Sequence, residues 1–187
     1  MELGDTIKAR RARQGLTLGG LAARTGVSRA MLSEIERGTK NPTIRIVCQI
    51  AEGLGTTVSE LIGEGPPPES RAPVIVRAAE RQTLVDPQTG VTRQQLAPTY
   101  LRRGVEVLWY RLPARAATGT FPAHRPGVIE QLTVVRGALR CQIGDDEALL
   151  AAGDALFFDA DLAHAFANPA DEPCEYLLII DSREATP

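Results

Sequence analysis

The sequence predicts an α + β protein of two domains, an all-α head followed by an all-β body. Three observations carry this. Across residues 1–63 apolar side chains recur at helical spacing, and glycines punctuate the stretches. Residues 64–73, EGPPPESRAP, contain three consecutive prolines, which cannot continue a helix and favour extended polyproline geometry. From Val74 to residue 183 the apolar period falls to two.

In the head, Leu3, Ile7 and Ala9 to Ala12 start a first helix that stops at Gly15. Leu18, Leu21, Ala22 and Thr25 make a second. Gly26 ends it, because a chain reversing after a helix needs a residue that tolerates positive φ. Val27 plugs the turn, and Ser28 is placed to N-cap a third helix whose buried face is Met31, Leu32 and Ile35. Gly38 ends that helix, and Asn41-Pro42 starts a turn. Ile46, Val47, Ile50, Ala51 and Leu54 give the stretch from Thr43 to Leu54 a fourth helical face, closed by Gly55. Thr57, Val58, Leu61 and Ile62 make a short fifth helix.

The proline run reads as a semi-rigid linker. Beyond it lie the runs VIVRA, VEVLWYRL, IEQLTVV, ALRCQI, EALLA, ALFF, AFA and EYLLII, separated by turn residues at roughly ten-residue intervals. Short strands so spaced suggest a β-sandwich or barrel, and about 110 residues suffice for one such core. Gly127, Gly137, Gly144 and Gly153 are read as turn glycines, since no strand–glycine-loop–helix unit surrounds them.

Composition narrows the class. No run of about 18 apolar residues predicts a membrane span. The opening ELGDTIKARRARQG has charge but no apolar core or cleavage-like site, so no signal peptide is expected and the predicted location is cytoplasmic. Cys48, Cys141 and Cys174 are odd in number and widely spaced, which predicts reduced thiols; Cys141 and Cys174 both fall on predicted strands. The net charge of −2 hides an asymmetry. Residues 1–63 hold nine Lys and Arg against six Asp and Glu, whereas residues 64–187 hold twelve Arg against seventeen acids. A basic head on an acidic body suits DNA binding by the head alone.

The stretch from Leu16 to Pro42 has a specific order: short helix, glycine, apolar plug, capping serine, second helix, then the E-R-G-T-K-N-P exit. This order is that of a helix-turn-helix, and it resembles the phage-repressor (Xre-type) class across roughly residues 3–62. The resemblance implies double-stranded DNA as partner. It places Arg29, Ala30, Ser33 and Glu34 at base edges, behind Ser28 at the head of the helix. Arg29 suits guanine, Ala30 a thymine methyl, and Glu34 either cytosine or the orientation of Arg29. Thr17 is expected at phosphate through its hydroxyl and helix N-terminus. Lys40, Asn41, Thr43 and Arg45 are expected on the DNA backbone, and Glu36 and Arg37 in local pairs.

Residues 124–168 resemble the cupin family. Its first motif is G, five residues, H-x-H, three or four residues, E, six residues, G. Here His124, Glu130 and Gly137 fill three places, with four residues between Gly119 and His124 where the motif has five. In the second motif, Gly153, His164 and Asn168 fall at the family's intervals, with Asp159 and Asp161 where Pro and Gly stand. The resemblance implies a double-stranded β-helix, or jelly-roll barrel. The second His of H-x-H is replaced by Pro126, or by Arg125 on the longer spacing.

Two readings follow. His124, Glu130 and His164 form a polar floor that binds a small-molecule effector, or they hold a divalent metal such as Fe, Zn, Ni or Mn. Arg111, Arg125 and Arg140 are candidates to meet an anionic effector. Trp109, Tyr110, Phe121, Phe157, Phe158 and Phe166 are divided between pocket and core. The resemblance also implies a homodimer built through the cupin half. Two alternatives stand beside an effector-sensing regulator: a mononuclear-metal cupin enzyme resembling phosphonate epoxidases that carry a helix-turn-helix, and a DNA-binding dimer whose cupin is structural. Those epoxidases place the first His four residues before the Glu, where Pro126 stands.

Overall fold

Four of the five helices open on a capping hydroxyl and the fifth is positioned by one close contact, and this fixes the head. The helices are α1 (Leu3–Arg13), α2 (Leu18–Thr25), α3 (Arg29–Glu36), α4 (Ile44–Gly53) and α5 (Val58–Leu61). Thr17, Ser28, Thr43 and Thr57 cap α2 to α5, each hydroxyl accepting from the backbone N–H three residues on. Gly26 adopts φ 68° and its N–H donates to the Ala22 carbonyl. Val27 is buried under the turn, and Leu21, Leu32, Ile35, Val47, Ile50 and Leu61 are buried with it. Each such side chain contributes about 1.5–3 kcal/mol.

Helix α1 is weakly amphipathic and is held instead by α3. A Cβ on Gly4 would lie 2.3 Å from the Ile35 carbonyl oxygen, so only glycine allows that approach. Arg11 then forks onto Glu36, Nε to Oε1 at 2.7 Å and Nη2 to Oε2 at 2.9 Å, while Nη1 donates to the Leu16 carbonyl at 2.7 Å.

The coordinates are a computed structural model describing residues 3–62, 75–96 and 104–185. The linker predicted at 64–73, and Val74, lie outside them. The chain divides into two compact units, Met1–Gly65 and Pro66–Pro187.

The second unit has strands β1 (Thr83–Val85), β2 (Thr92–Gln95), β3 (Val105–Leu112), β4 (Ala117–Phe121), β5 (Ile129–Arg136), β6 (Ala138–Ile143), β7 (Asp146–Ala151), β8 (Ala155–Asp159), β9 (His164–Ala167) and β10 (Cys174–Asp181). They form two antiparallel sheets, β1-β2-β3-β10-β5-β8 and β4-β9-β6-β7. Alternation sends Leu108, Tyr110, Leu132, Val134, Tyr176 and Leu178 inward from the first sheet. Leu139, Cys141, His164 and Phe166 point inward from the second. Phe166 and Tyr176 meet across the interior with ring centroids 5.6 Å apart.

Two differences from the sequence reading concern strands. The described part of VIVRA is not one: residues 75–77 are irregular with Ile75 exposed, and Ala78–Glu80 are a 3₁₀ turn. Strands β1, β2 and β4 are additional, and β2 (TRQQ) has no apolar side chain to mark it.

Candidate functional sites

The DNA-facing candidates sit on one helix and its flanks. Arg29 and Ala30 are exposed at the start of α3, and Ser33 and Glu34 are half-buried one turn later. Ser33 accepts from Arg37, and Glu34 pairs with Lys40 at 3.4 Å. That pair is nearly half exposed and contributes at most about 1 kcal/mol. Glu36 is turned inward onto Arg11, as a structural pair. Thr17, Ser28 and Thr43 spend a lone pair on their own helices, at 3.0, 3.2 and 3.3 Å. A capping hydroxyl acts as acceptor there and keeps its O–H as a donor for phosphate. Asn41 is exposed, and Arg45 donates to Gln49 Oε1 at 3.3 Å.

Inside the barrel three side chains converge. Glu130 lies on β5 in the first sheet, His164 on β9 in the second, and His124 in the β4–β5 connection. His124 Nε2 is 3.1 Å from Glu130 Oε1, and His164 Nε2 is 3.6 Å from the same oxygen. His164 Nδ1 is 2.9 Å from the Leu162 carbonyl. A carbonyl only accepts, so Nδ1–H donates there and Nε2 is the nitrogen turned toward Glu130. Around one ion at about 2.1 Å, ligand atoms stand about 3.0–3.5 Å apart. The two separations from Glu130 Oε1 are at or near that spacing, and all three ligand atoms lie within 4.8 Å of one another, which makes the set a candidate metal site. Glu130 Oε2 is buried with no hydrogen-bond partner among the described residues, a defect that costs about 1–3 kcal/mol unless something polar meets it. Phe121, Phe158 and Phe166 ring His164 at centroid distances of 5.4–5.7 Å, so that side is dry. The side chain of His124 is 24% exposed and marks the open side.

The remaining motif residue has a structural role. Asn168 Nδ2 donates to the carbonyls of Leu112, Pro113 and Glu172, and its Oδ1 accepts from Ala170 N–H, tying two loops together.

The arginines predicted to meet an effector are not brought to this interior. Arg111 sits at an odd position of β3, faces outward, and pairs with Glu175 at 3.6 Å. Arg140 is likewise outward, beside Glu147, and Arg125 is exposed in the β4–β5 connection. Strand parity decides this: inner positions of β3 are even-numbered. Of the aromatic candidates, Phe157 is exposed and Trp109 faces outward opposite Leu177.

The sequence reading missed a second inward polar group. Arg93, 2% exposed, pairs through Nη2 with Glu106 Oε1 at 3.3 Å, and Gln95 is buried beside them on β2. The signal was present as polar residues at alternate positions of TRQQ, which hydrophobic periodicity does not register. Tyr176 is wholly buried and stacked on Tyr110 at 5.1 Å. Its hydroxyl has no partner among the described residues. Burial first, then the nearby Tyr110 and Glu130, holds this phenol well above its ordinary range. Burial also pushes the Cys141 thiol up to about 12 and Cys174 to about 11, so neither is poised as a thiolate.

Residues 7–61 match the helix-turn-helix family model and residues 109–180 the cupin domain model. The chain is 30% identical over 179 residues to the HTH-type transcriptional regulator SutR of Escherichia coli (strain K12), covering 95% of this chain and 93% of that one. The crystal structure of an HTH_3 family transcriptional regulator from Vibrio cholerae superposes with TM-score 0.79 at 27% identity, covering 99% of this chain and 95% of that chain. Hydroxypropylphosphonic acid epoxidase from S. wedmorenis shares the fold, with TM-score 0.51 at 21% identity and 96% of each chain covered. No helix among the described residues is long and apolar enough to cross a membrane. Identity along nearly the whole of a full-length relative, with both domains matched in order, makes this chain a member of the helix-turn-helix (Xre-type) transcriptional regulators that carry a C-terminal cupin domain.

Proposed function

We propose that this protein is a sequence-specific DNA-binding regulator whose cupin barrel binds a small-molecule effector beside a divalent metal held by His124, Glu130 and His164. The observation that carries the reading is the convergence of two imidazole nitrogens on one buried carboxylate oxygen, at 3.1 and 3.6 Å, in a chain whose other unit is a helix-turn-helix. When bound, the metal supplies a positive, Lewis-acidic centre on which an effector's oxygen can sit. Phe121, Phe158 and Phe166 exclude water from its His164 side.

On DNA, Arg29, Ala30, Ser33 and Glu34 read base edges in the major groove. Thr17, Ser28, Lys40, Asn41, Thr43 and Arg45 hold the backbone. One head makes too few contacts for tight specific binding, so the regulator works as a homodimer on half-sites about one helical turn apart. An effector shifts DNA affinity only by its differential affinity for two dimer arrangements.

The first test is metal content per chain in protein purified without a His-tag, beside His164→Ala. The expected result is stoichiometric metal in the wild type and none in the variant. Metal absent from both after incubation with iron, zinc, nickel and manganese removes the metal from this reading. Light scattering that gives a monomer at working concentration removes the dimer. A second reading rests on the same residues: two His and one carboxylate are also the ligand set of non-haem iron oxygenases. Oxygen uptake by iron-loaded protein, abolished in His164→Ala, would favour it.

A further inference from the structure

Among the described residues the two sheets end on four edge strands, β1 and β8 in the first and β4 and β7 in the second. An edge offers unpaired N–H and C=O groups to any other strand, and proteins blunt it by shortness, bulges, prolines or charge. Strand β1 has only three residues. Strand β4 is bulged against β9 between Ala117 and Thr120. Strand β7 opens with Asp146 and Glu147. Strand β8, Ala-Leu-Phe-Phe-Asp, has no such defence. It lacks proline, runs against β5 without a bulge, and carries its only charge at its last residue.

The backbone of β8 is set for a second neighbour. Its ladder bonds to β5 fall on even-numbered residues: Val134 N–H donates to the Asp154 carbonyl at 3.0 Å, and Ala160 N–H to the Val128 carbonyl at 2.9 Å. Antiparallel alternation then turns the N–H and C=O of Ala155, Phe157 and Asp159 away from β5. Among the described residues these groups have no hydrogen-bond partner. At the middle of this edge stands Phe157, 63% exposed. Residues 152–154 join β8 to β7, the edge of the other sheet, where Leu149 is 65% exposed. Every exposed large apolar side chain among the described residues belongs to this unit, and none to the head.

The edge is complementary to itself. Two copies of β8 related by a two-fold axis at Phe157 overlap along all five residues and make about six inter-strand hydrogen bonds. In that register Phe157 meets the partner's Phe157, and Asp159 lies opposite the partner's Ala155, so no carboxylate faces another. A two-fold at Asp159 would set two carboxylates face to face and lose most of the overlap. We propose that β8 pairs with β8 of a second copy, centred on Phe157, and that this edge builds the homodimer. The proposal rests on the dimeric reading above and adds its interface.

The test is light scattering on the full chain, beside Phe157→Lys and, on the β1 edge, Val85→Lys. The expected result is two chains of 20.1 kDa each for the wild type and Val85→Lys, and half that mass for Phe157→Lys, with its helical circular dichroism and Trp109 fluorescence unchanged. A second variant reads position directly. Hydrogen-bonded antiparallel partners have Cα atoms about 5.5 Å apart, within disulfide reach. Phe157→Cys should therefore form a covalent dimer under mild oxidation, whereas Val85→Cys and the wild type, with its own three cysteines, should not. A wild-type dimer in which Phe157→Cys fails to crosslink, or in which folded Phe157→Lys stays dimeric, would overturn the β8 interface and leave the dimer standing. If Phe157→Lys does not fold, the cysteine variant decides. A monomeric wild type would overturn both.

Discussion

The head and the barrel bury opposite things. The head has an apolar core, and its half-buried ion pair, Arg11 with Glu36, is fully forked and capped by a carbonyl. It also buries the hydroxyl residues Thr6, Thr25 and Ser59, and it presents Arg29, Lys40 and Asn41 at the surface. The barrel buries Arg93, Gln95, Glu106, Glu130, His164 and the Tyr176 hydroxyl. Burying charge is costly and is rarely the cheapest route to stability. A unit that reads DNA needs its donors on the surface, whereas a unit that encloses a small ligand needs them inside. The location of the polar groups therefore suits the two roles proposed above.

The comparison is broken or sharpened first by stability. Leu32 is wholly buried in α3, and Leu32→Ala should cost the head about 3 kcal/mol. The chain's single tryptophan, Trp109, lies on β3, so its fluorescence reports the barrel while helical circular dichroism reports the head. The expected urea profile shows the helical transition moved to lower denaturant and the Trp109 transition unmoved. A joint shift would show that the units unfold together.

Glu36→Ala strands Arg11 beside α3 and should cost about 2 kcal/mol, by the logic of breaking one side of a desolvated pair. The same two signals measure it, and a loss below about 0.5 kcal/mol would return this pair to the surface class. Arg29→Ala should leave stability alone and cost about 1–3 kcal/mol of specific DNA affinity, relaxing preference at one base pair. Anisotropy titrations on a single-substitution operator series measure this, and unchanged affinity and preference would remove Arg29 from the base-reading set. Lys40→Ala should weaken all sequences alike and make the salt dependence shallower by about one unit per head. The smallest effect belongs to the barrel. Tyr176→Phe deletes a buried hydroxyl that has no partner among the described residues. It should therefore leave the ligand-free melting temperature unchanged or slightly raised. A marked fall would mean that the hydroxyl is already hydrogen-bonded in the free protein.

The head was legible in the sequence because its signals are local. A cap and the N–H it accepts are three residues apart, and Gly26 lies directly after the helix it ends. The contact of Gly4 with Ile35 was not legible, because it joins α1 to α3 through a backbone approach that no spacing encodes. In the barrel, the strands with alternating apolar residues were visible, and TRQQ was not. Its inward residues are Arg93 and Gln95, so the periodicity is carried by polar side chains. Arg111 was expected near an effector, and parity with Tyr110 turns it outward.

By itself, the sequence determined two domains, a helix-turn-helix whose turn is built from Gly26, Val27 and Ser28, and the intervals that mark His124, Glu130 and His164. Only the tertiary structure decided that these three meet. Glu130 and His164 belong to different sheets and His124 to a connection, so a distance of 3.1 or 3.6 Å between them depends on how the two sheets close over one another. The same closure set Arg93 and Tyr176 on one inward row, through pairings between strands far apart in sequence. Helical geometry is settled over a few residues by hydrogen bonds along the chain; a barrel interior is settled by register between strands, which no single strand contains.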